Sequence, residues 1–277
     1  MAKPPDMKIL HVWDQAGVAC ILARHQRRQG HEVDIMKRAG YDPFSIFAFY
    51  GEPLMDTDGK SFINSVTKRA REFDVIHVHS LFKIIPDMRK KYKHKTIILH
   101  YHGSEARRDV KEDIQLEAED MADAVLGSTP DLEQYVGKRL KYIPNPVDTD
   151  HFKPREFSSL DDEKAFTFRT TGADTDWTVQ YLRDSKIEIP IDVIDRQANP
   201  VPYSDMPKML TSYSVYVDLK YIGGRLLQAP SKTALECLGC GLRVLDYKLQ
   251  YLDTLPDEHR PESVSDHVLE MYRSYCC

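Results

Sequence analysis

The sequence predicts an α/β protein of two Rossmann-like halves, the second one reduced, with a ligand cleft between them. Three observations carry this. Short apolar runs alternate with amphipathic stretches of helical length along most of the 277 residues, the pattern of parallel strands joined by crossover helices. The runs are apolar nearly throughout, as strands covered on both faces are. Finally, the alternation breaks between Pro144-Asn145-Pro146 and Lys164, across Lys153-Pro154 and Asp161-Asp162-Glu163. Proline restricts its neighbours to extended conformations, so this stretch reads as a linker.

In the first half, residues 7–13 (MKILHVW) form a strand, and residues 17–29 form a helix that Gly30 ends. Strands follow at 32–37, 74–80, 96–101, 124–128 and 142–143, with helices at 60–72, 85–92 and 110–121. Beyond the break come strands at 165–169, 191–194, 215–219 and 243–247, and helices at 176–184, 204–212 and 232–238. The expected domains are 1–152, 153–262 and a closing helix within 263–277 that has room to cross back to the first half. Two such units place a ligand at the carboxyl ends of their sheets, without naming a reaction.

Composition bounds the class. Hydrophobic content of 42% and charged content of 29% are those of an ordinary globular chain. A net charge of −5 argues against nucleic acid as a partner. The odd set of five cysteines makes no disulfide framework, which favours a reducing compartment. Cys237 and Cys240 form a C-x-x-C with no second pair to complete a zinc site, and read as small packing residues. The N-terminal apolar run of about seven residues is too short for a signal sequence. No run approaches the roughly 20 residues of a membrane helix. The expected location is cytoplasmic, open to peripheral membrane contact through the basic run from Met88 to Lys95 (MRKKYKHK).

Four segments can carry chemistry. Gly17, at the start of the first helix, either opens backbone amides to a phosphate or serves a tight turn. The G-x-G-x-x-G fingerprint is absent, so a dinucleotide site is not supported. His102 follows a strand that ends at the expected cleft and can hydrogen-bond a sugar hydroxyl, with Ser104 and Glu105 placed to meet an acceptor. His77, His79 and His100 lie inside strands and read as satisfied structural groups. Arg196 and Gln197 occupy a strand end where a nucleobase can be contacted, or simply precede a capped helix. Ser231, Lys232 and Thr233 open a helix that carries Glu236 one turn on. Their amides and the lysine charge suit an anion and Glu236 a ribose diol, but Lys232 and Glu236 equally suit an ordinary i,i+4 pair.

Together these segments resemble the retaining GT-B glycosyltransferases of the family 4 type, of which this would be a compact, divergent member. The resemblance rests on Arg28-Gln29-Gly30-His31-Glu32-Val33, on FDVIHVH at 73–79, ADAVLGST at 122–129 and IPNPVDTDHF at 143–152. It continues in the P-Y-x-x-M-P segment from Pro202 and in the donor-helix motif at 231–241. It implies Gly17 near the donor diphosphate, His102 as the catalytic contact to the donor sugar, Ser231, Lys232 and Thr233 on the phosphates, and Glu236 on the ribose. Two departures are plain. The family's first carboxylate of an E-x7-E pattern is Gln228 here, which would face the donor sugar. The family's basic pair after the first strand of the second half is replaced by a loop with Asp174 and Asp176. The remaining phosphate charges are Lys232, Arg225 and Arg196, with Arg169.

The implied activity is metal-independent transfer of a hexose, with retention, from a UDP- or GDP-linked sugar to a hydroxyl of a glycan, glycoprotein or lipid, with no cofactor. Two alternatives share the architecture: a nucleotide-sugar epimerase and a catalytically inactive nucleotide-sugar-binding subunit.

Overall fold

The computed structural model describes residues 6–107, 111–154, 164–170 and 172–276. Residues 155–163 of the proposed linker therefore lie outside the described residues, as does Val110 at the expected start of its helix. The chain divides into two compact units. One comprises residues 1–42, 46–146 and 261–277, and the other residues 43–45 and 147–260.

The first unit runs β1 (Lys8–Val12), α1 (Val18–Arg28), β2 (Glu32–Met36), α2 (Ile46–Tyr50), α3 (Gly59–Arg69), β3 (Val75–His79), α4 (Ile85–Lys91), β4 (Thr96–Tyr101), α5 (Asp113–Met121), β5 (Ala124–Gly127), α6 (Glu133–Val136) and β6 (Leu140–Tyr142). Its six strands are parallel and ordered β2-β1-β3-β4-β5-β6. The chain moves outward from β1 to β2 and returns to β1's other side for β3. The carboxyl ends of β1 and β3 are thus the topological switch point, where such sheets leave a crevice.

Side chains alternate across each strand, so this sheet has two differently built faces. Leu10 and Val12, Ile76 and Val78, and Ile97, Leu99 and Tyr101 enter one apolar core with Phe62, Phe73 and Ile85. The intervening positions carry His11, His77, His79 and His100, all buried. In register His11 pairs with His77, and His79 with His100.

The second unit runs β7 (Ala165–Arg169), α7 (Thr175–Asp184), β8 (Ile191–Asp195), α8 (Met206–Leu210), β9 (Val215–Val217), the hairpin β10 (Tyr221–Ile222) and β11 (Arg225–Leu226), α9 (Lys232–Gly239), β12 (Arg243–Leu245) and β13 (Tyr251–Leu252). Its sheet is ordered β13-β12-β9-β7-β8, parallel except for the β13 edge. The switch point here lies at the ends of β7 and β9. Ala165, Val215, Val217 and Leu245 pack with Leu182 on one side. On β7, Phe166 and Phe168 stack edge-on at 5.3 Å, and both meet Tyr216.

Local chemistry sets the helix ends. Asp58, Asp174 and Ser231 cap α3, α7 and α9 through side-chain oxygens that accept backbone N–H groups. Gly30, at φ 95°, ends the α1 segment in a backbone conformation that glycine adopts without strain. The last helix, α10 (Pro261–Tyr275), belongs to the first unit and buries Val264, Val268, Leu269 and Tyr272. The short α2, the β10–β11 hairpin and β13 carry no long periodic pattern, and the sequence analysis assigned none of them. The expected helix at 204–212 is shorter, because a 3-10 turn at Tyr203–Asp205 precedes α8.

Leu10 is fully buried in the central strand. Leu10→Ala should lower unfolding stability by about 2–5 kcal/mol, read as a lower urea midpoint at unchanged slope.

Candidate functional site

At the first unit's switch point the buried histidines are hydrogen-bonded to one another. His11 Nδ1 meets His79 Nε2 at 2.9 Å, and His11 Nε2 meets Gln26 Oε1 of α1 at 2.9 Å. His79 Nδ1 meets His102 Nε2 at 3.0 Å, and Ser128 Oγ bridges His102 Nδ1 at 2.9 Å and His100 Nε2 at 3.0 Å. His100 Nδ1 lies 3.1 Å from His77 Nε2, and His77 Nδ1 bonds the Tyr272 hydroxyl of α10. Burial lowers every one of these pKa values. His11 falls to about 4, and His77, His79 and His100 fall well below the ordinary value, with neighbouring histidines adding to the drop. His102 is lowered by burial too, against the opposing charges of Glu105 and Asp14. All five rings are neutral at pH 7. His77, His79 and His100 are satisfied structural groups as expected, but satisfied by other rings.

His102 is half-buried and both of its ring nitrogens are engaged. Its backbone N–H donates to Glu105, whose Oε1 also accepts from Ser80 Oγ at 2.7 Å. A sugar hydroxyl would reach a ring nitrogen only by exchanging with Ser128 or His79, so a contact that leaves both in place is made at the carbon edge of the ring. Ser104 is exposed beside this turn. Gly103 sits at φ 153°, and a Cβ there would lie 2.6 Å from Arg107 Nη1, so the space beside the turn is filled by that guanidinium.

Two helix starts were expected to receive phosphate, and each holds a carboxylate of the chain itself. Asp14 accepts from the amides of Gly17 at 3.0 Å and Ala19 at 2.8 Å, with the buried Lys37 ammonium 3.7 Å away. At α9, Asp218 accepts from the Ser231 amide at 2.7 Å and its hydroxyl at 2.6 Å, with Lys220 at 3.8 Å. Ser231 Oγ in turn caps the Ala234 amide at 3.2 Å. Gly17 and Ser231 therefore direct their amides to aspartates, while Lys232 and Thr233 remain half-buried at the same end.

The second unit gathers further polar groups in its interior. The Arg196 guanidinium lies between the rings of Phe44 and Phe168, at 4.1 and 4.9 Å from their centroids. Burial lowers its pKa, opposed by the charge of Glu236. Burial raises the Glu236 carboxyl in turn, although Lys232 and Arg196 hold it down. Lys232 Nζ lies 3.5 Å from Glu236, an i,i+4 pair whose members are 12% and 6% exposed rather than solvated. Arg196 Nε and the Tyr216 hydroxyl are buried with no hydrogen-bond partner among the described residues. Two buried orphan polar atoms near a carboxylate call for a partner from outside the chain, a water or a ligand.

The remaining expected residues are dispersed. Arg225 is exposed on the β10–β11 hairpin and Gln228 is exposed after it. Gln197 turns its amide N–H to Asp195 Oδ1 at 2.9 Å. Arg169 lies 3.7 Å from Asp176. The basic run is largely spoken for: Arg89 bonds Asp123, Lys90 lies 3.4 Å from Glu117, and Lys95 donates to the carbonyls of Arg71 and Phe73. Among the described residues no helix is long and apolar enough to cross a membrane. The sequence analysis missed Asp14, Ser128, Tyr216 and Asp218. An aspartate two or three residues before a helix-opening Gly or Ser was the available signal for Asp14, while Ser128, Tyr216 and Asp218 lie in strands or at their ends.

Residues 16–151 match the family described as Glycosyltransferase Family 4. The fold is shared with an alpha-glucosyltransferase solved with UDP and a 13-mer DNA containing a central A:G mismatch. That likeness has 12% identity over 96% of this chain and 90% of that chain, at a TM-score of 0.52. An alpha-glucosyltransferase solved with UDP-glucose and DNA containing an abasic site matches at 12% identity, over 98% and 92% of the two chains, also at 0.52. At such identity the likeness is one of fold, and it places the chain in the GT-B class. No curated protein sequence matches. The exclusion of nucleic acid is corrected by these structures: a chain of this fold holds DNA. Phosphate contacts answer to the local charge of one face, so a total of −5 over the whole chain does not exclude them.

The neutral histidines have a consequence for acid stability. Their folded pKa values lie below the unfolded value, so the unfolded chain binds more protons as pH falls below 6.5. For His11 alone, the drop from 6.5 to about 4 corresponds to roughly 3 kcal/mol. This stabilisation is complete above pH 6.5 and is lost progressively toward pH 4. Urea unfolding at pH 7, 6 and 5 should show falling stability, and a flat profile across that window would rule out neutral rings.

Proposed function

We propose, because residues 16–151 match Glycosyltransferase Family 4, that the chain transfers a hexose from a nucleoside diphosphate sugar to an acceptor hydroxyl, with retention and without a metal. The observation that carries the donor half of this reading is the interior of the second unit. Glu236 and Tyr216 are buried beside the half-buried Arg196, and Arg196 Nε and the Tyr216 hydroxyl are polar atoms with no partner among the described residues, which a ribose and base would satisfy. Lys232 and Thr233, on the same helix as Glu236, would meet the phosphates. Gly17, Ser231, Arg225 and Gln197 would complete the donor contacts and Gln228 would face the sugar.

Transition-state charge on the leaving diphosphate is what such a site must stabilise. Asp14 and Asp218 already draw on the two helix starts, so the helix amides offer less than in an open anion seat. The positive charge of Lys232 therefore carries a greater share, with Arg225 as a second source of charge from the hairpin. His102 would contact the donor sugar, and Ser104 and Glu105 the acceptor. In the domain scheme of this reading, residues 1–152 serve the acceptor and 153–262 the donor. The acceptor belongs to a panel of glycans, glycolipids and duplex DNA, the last included because a protein of this fold was solved with DNA.

The two aspartates favour one second reading, a nucleotide-sugar-binding module without transfer. A panel of UDP-, GDP-, ADP- and dTDP-sugars with these acceptors separates the two. Release of free nucleoside diphosphate is expected with one donor, and binding without release would leave only the second reading. In the enzyme, His102→Ala should abolish release while calorimetry still shows donor binding. Lys232→Ala should weaken the donor Kd by about tenfold or more, the scale of a lost charge-assisted bond of about 1.5–3 kcal/mol. An unchanged Kd would remove Lys232 from the phosphate site.

A further inference from the structure

The eight side chains from Gln26 to Tyr272 form an unbroken hydrogen-bonded chain through five histidines and Ser128, and its direction follows from its ends. Gln26 presents Oε1, a carbonyl oxygen that only accepts. His11 must therefore carry its proton on Nε2 and leave Nδ1 as an acceptor. His79 then donates from Nε2 to His11 and accepts at Nδ1 from His102 Nε2. His102 Nδ1 accepts the Ser128 hydroxyl proton, and Ser128 Oγ accepts from His100 Nε2. His100 Nδ1 accepts from His77 Nε2, and His77 Nδ1 from the Tyr272 hydroxyl. Every donor meets an acceptor with no conflict anywhere along the chain.

We infer that this chain runs in one direction from Tyr272 to Gln26, each ring carrying its single proton on Nε2, and that Ser128 and His79 are positioning residues which hold the His102 ring in one tautomer and orientation. The inference about positioning rests on the proposed contact of His102 with the donor sugar, while the chain itself does not.

Several observations converge on it. The rings are aligned as well as bonded: His77 and His79 stack at 4.2 Å with 17° between planes, and His79 and His102 at 5.2 Å with 19°. Aligned donors polarise one another, so a satisfied buried chain resists a tautomer change at any one member. A second proton on any ring would turn an acceptor nitrogen into a donor facing a donor. The face is closed by α1 and α10, which supply the two terminal groups, Gln26 and Tyr272. Gln26 Nε2 has no partner among the described residues. Gln26 also acts on Tyr272, lowering the phenol against the rise that burial imposes. Triads His11, His77, His79 and His79, His100, His102 have ligand atoms within 4.8 Å of one another. With one proton per ring, however, each lone pair that a metal would use is already an acceptor within the chain.

The test is long-range proton–nitrogen NMR of the full chain labelled in histidine, at pH 7 and without substrate. All five rings should show Nε2–H and a bare Nδ1. Ser128→Ala should shift His102 Nδ1 and His100 Nε2, and Ser128→Thr, which keeps the hydroxyl, should restore both. Gln26→Leu removes the terminal acceptor and should abolish the uniform pattern at His11, which reads the chain from its other end should Ser128→Ala fail to fold. In transfer assays Ser128→Ala should lower kcat roughly tenfold to a hundredfold, the range for groups that orient a functional residue. Donor Kd should be unchanged and Ser128→Thr should recover the rate. A proton on His102 Nδ1 in the wild type overturns the chain, as does Zn²⁺ uptake that erases the ring N–H signals. Shifted spectra with an undiminished kcat overturn the positioning role. A wild type that transfers no sugar defeats the function proposed above, while the spectra still decide the chain.

Discussion

A polar group buried in a parallel sheet must find its partner inside the protein, and this constraint organises the first unit. Five imidazoles on one face of a covered sheet would each cost about 1–3 kcal/mol if left unbonded. They are instead bonded in sequence, and the helices that cover the face supply the two end groups. One apolar core lies on the opposite side of the same strands, while the histidine face also buries Ile9, Val75 and Ile98. One face thus packs apolar side chains, and the other adds a connected polar network to its apolar contacts. The network reaches the sheet's carboxyl edge at His102 and Ser128, where a ligand crevice opens in this topology.

The same accounting governs the helix starts. Four N–H groups at the beginning of a helix need acceptors. Asp14 accepts two of them at α1 and Asp218 accepts one at α9, both from within the chain. A helix start that is already neutralised binds an external anion less well than an open one, so residues that bring positive charge gain weight. Lys37 beside Asp14 and Lys220 beside Asp218 show that each aspartate is itself balanced. The second unit carries the opposite condition in its interior. Arg196 Nε and the Tyr216 hydroxyl are left without partners among the described residues, and the guanidinium is held between two aromatic faces.

Much of this was legible in the amino-acid sequence. The alternation of runs at 7–13, 74–80 and 96–101 with helical stretches predicted the parallel sheet, because strand and helix periods differ and both persist locally. Gly30 and Ser231 marked helix ends through backbone and side-chain chemistry that needs no tertiary context. The motif order at 73–79, 122–129 and 143–152 pointed, before any coordinate, to the family that residues 16–151 match. The exclusion of nucleic acid was not sound, because a charge total says nothing about where charges lie.

By itself the sequence determined the class of the fold, most of its regular elements and the likeness of residues 16–151 to Glycosyltransferase Family 4, since these depend on periodicity and on short local patterns. Only the tertiary structure decided which partners the polar groups take. That His11 meets His79, that Ser128 joins His100 to His102, and that Asp218 reaches Ser231 are contacts between residues 13 to 68 positions apart. No local pattern encodes such pairs, because they arise when strand register and crossover order bring distant segments onto one edge. The lone imidazole that the sequence offered as a free functional group is therefore, in the folded chain, one link of a bonded series.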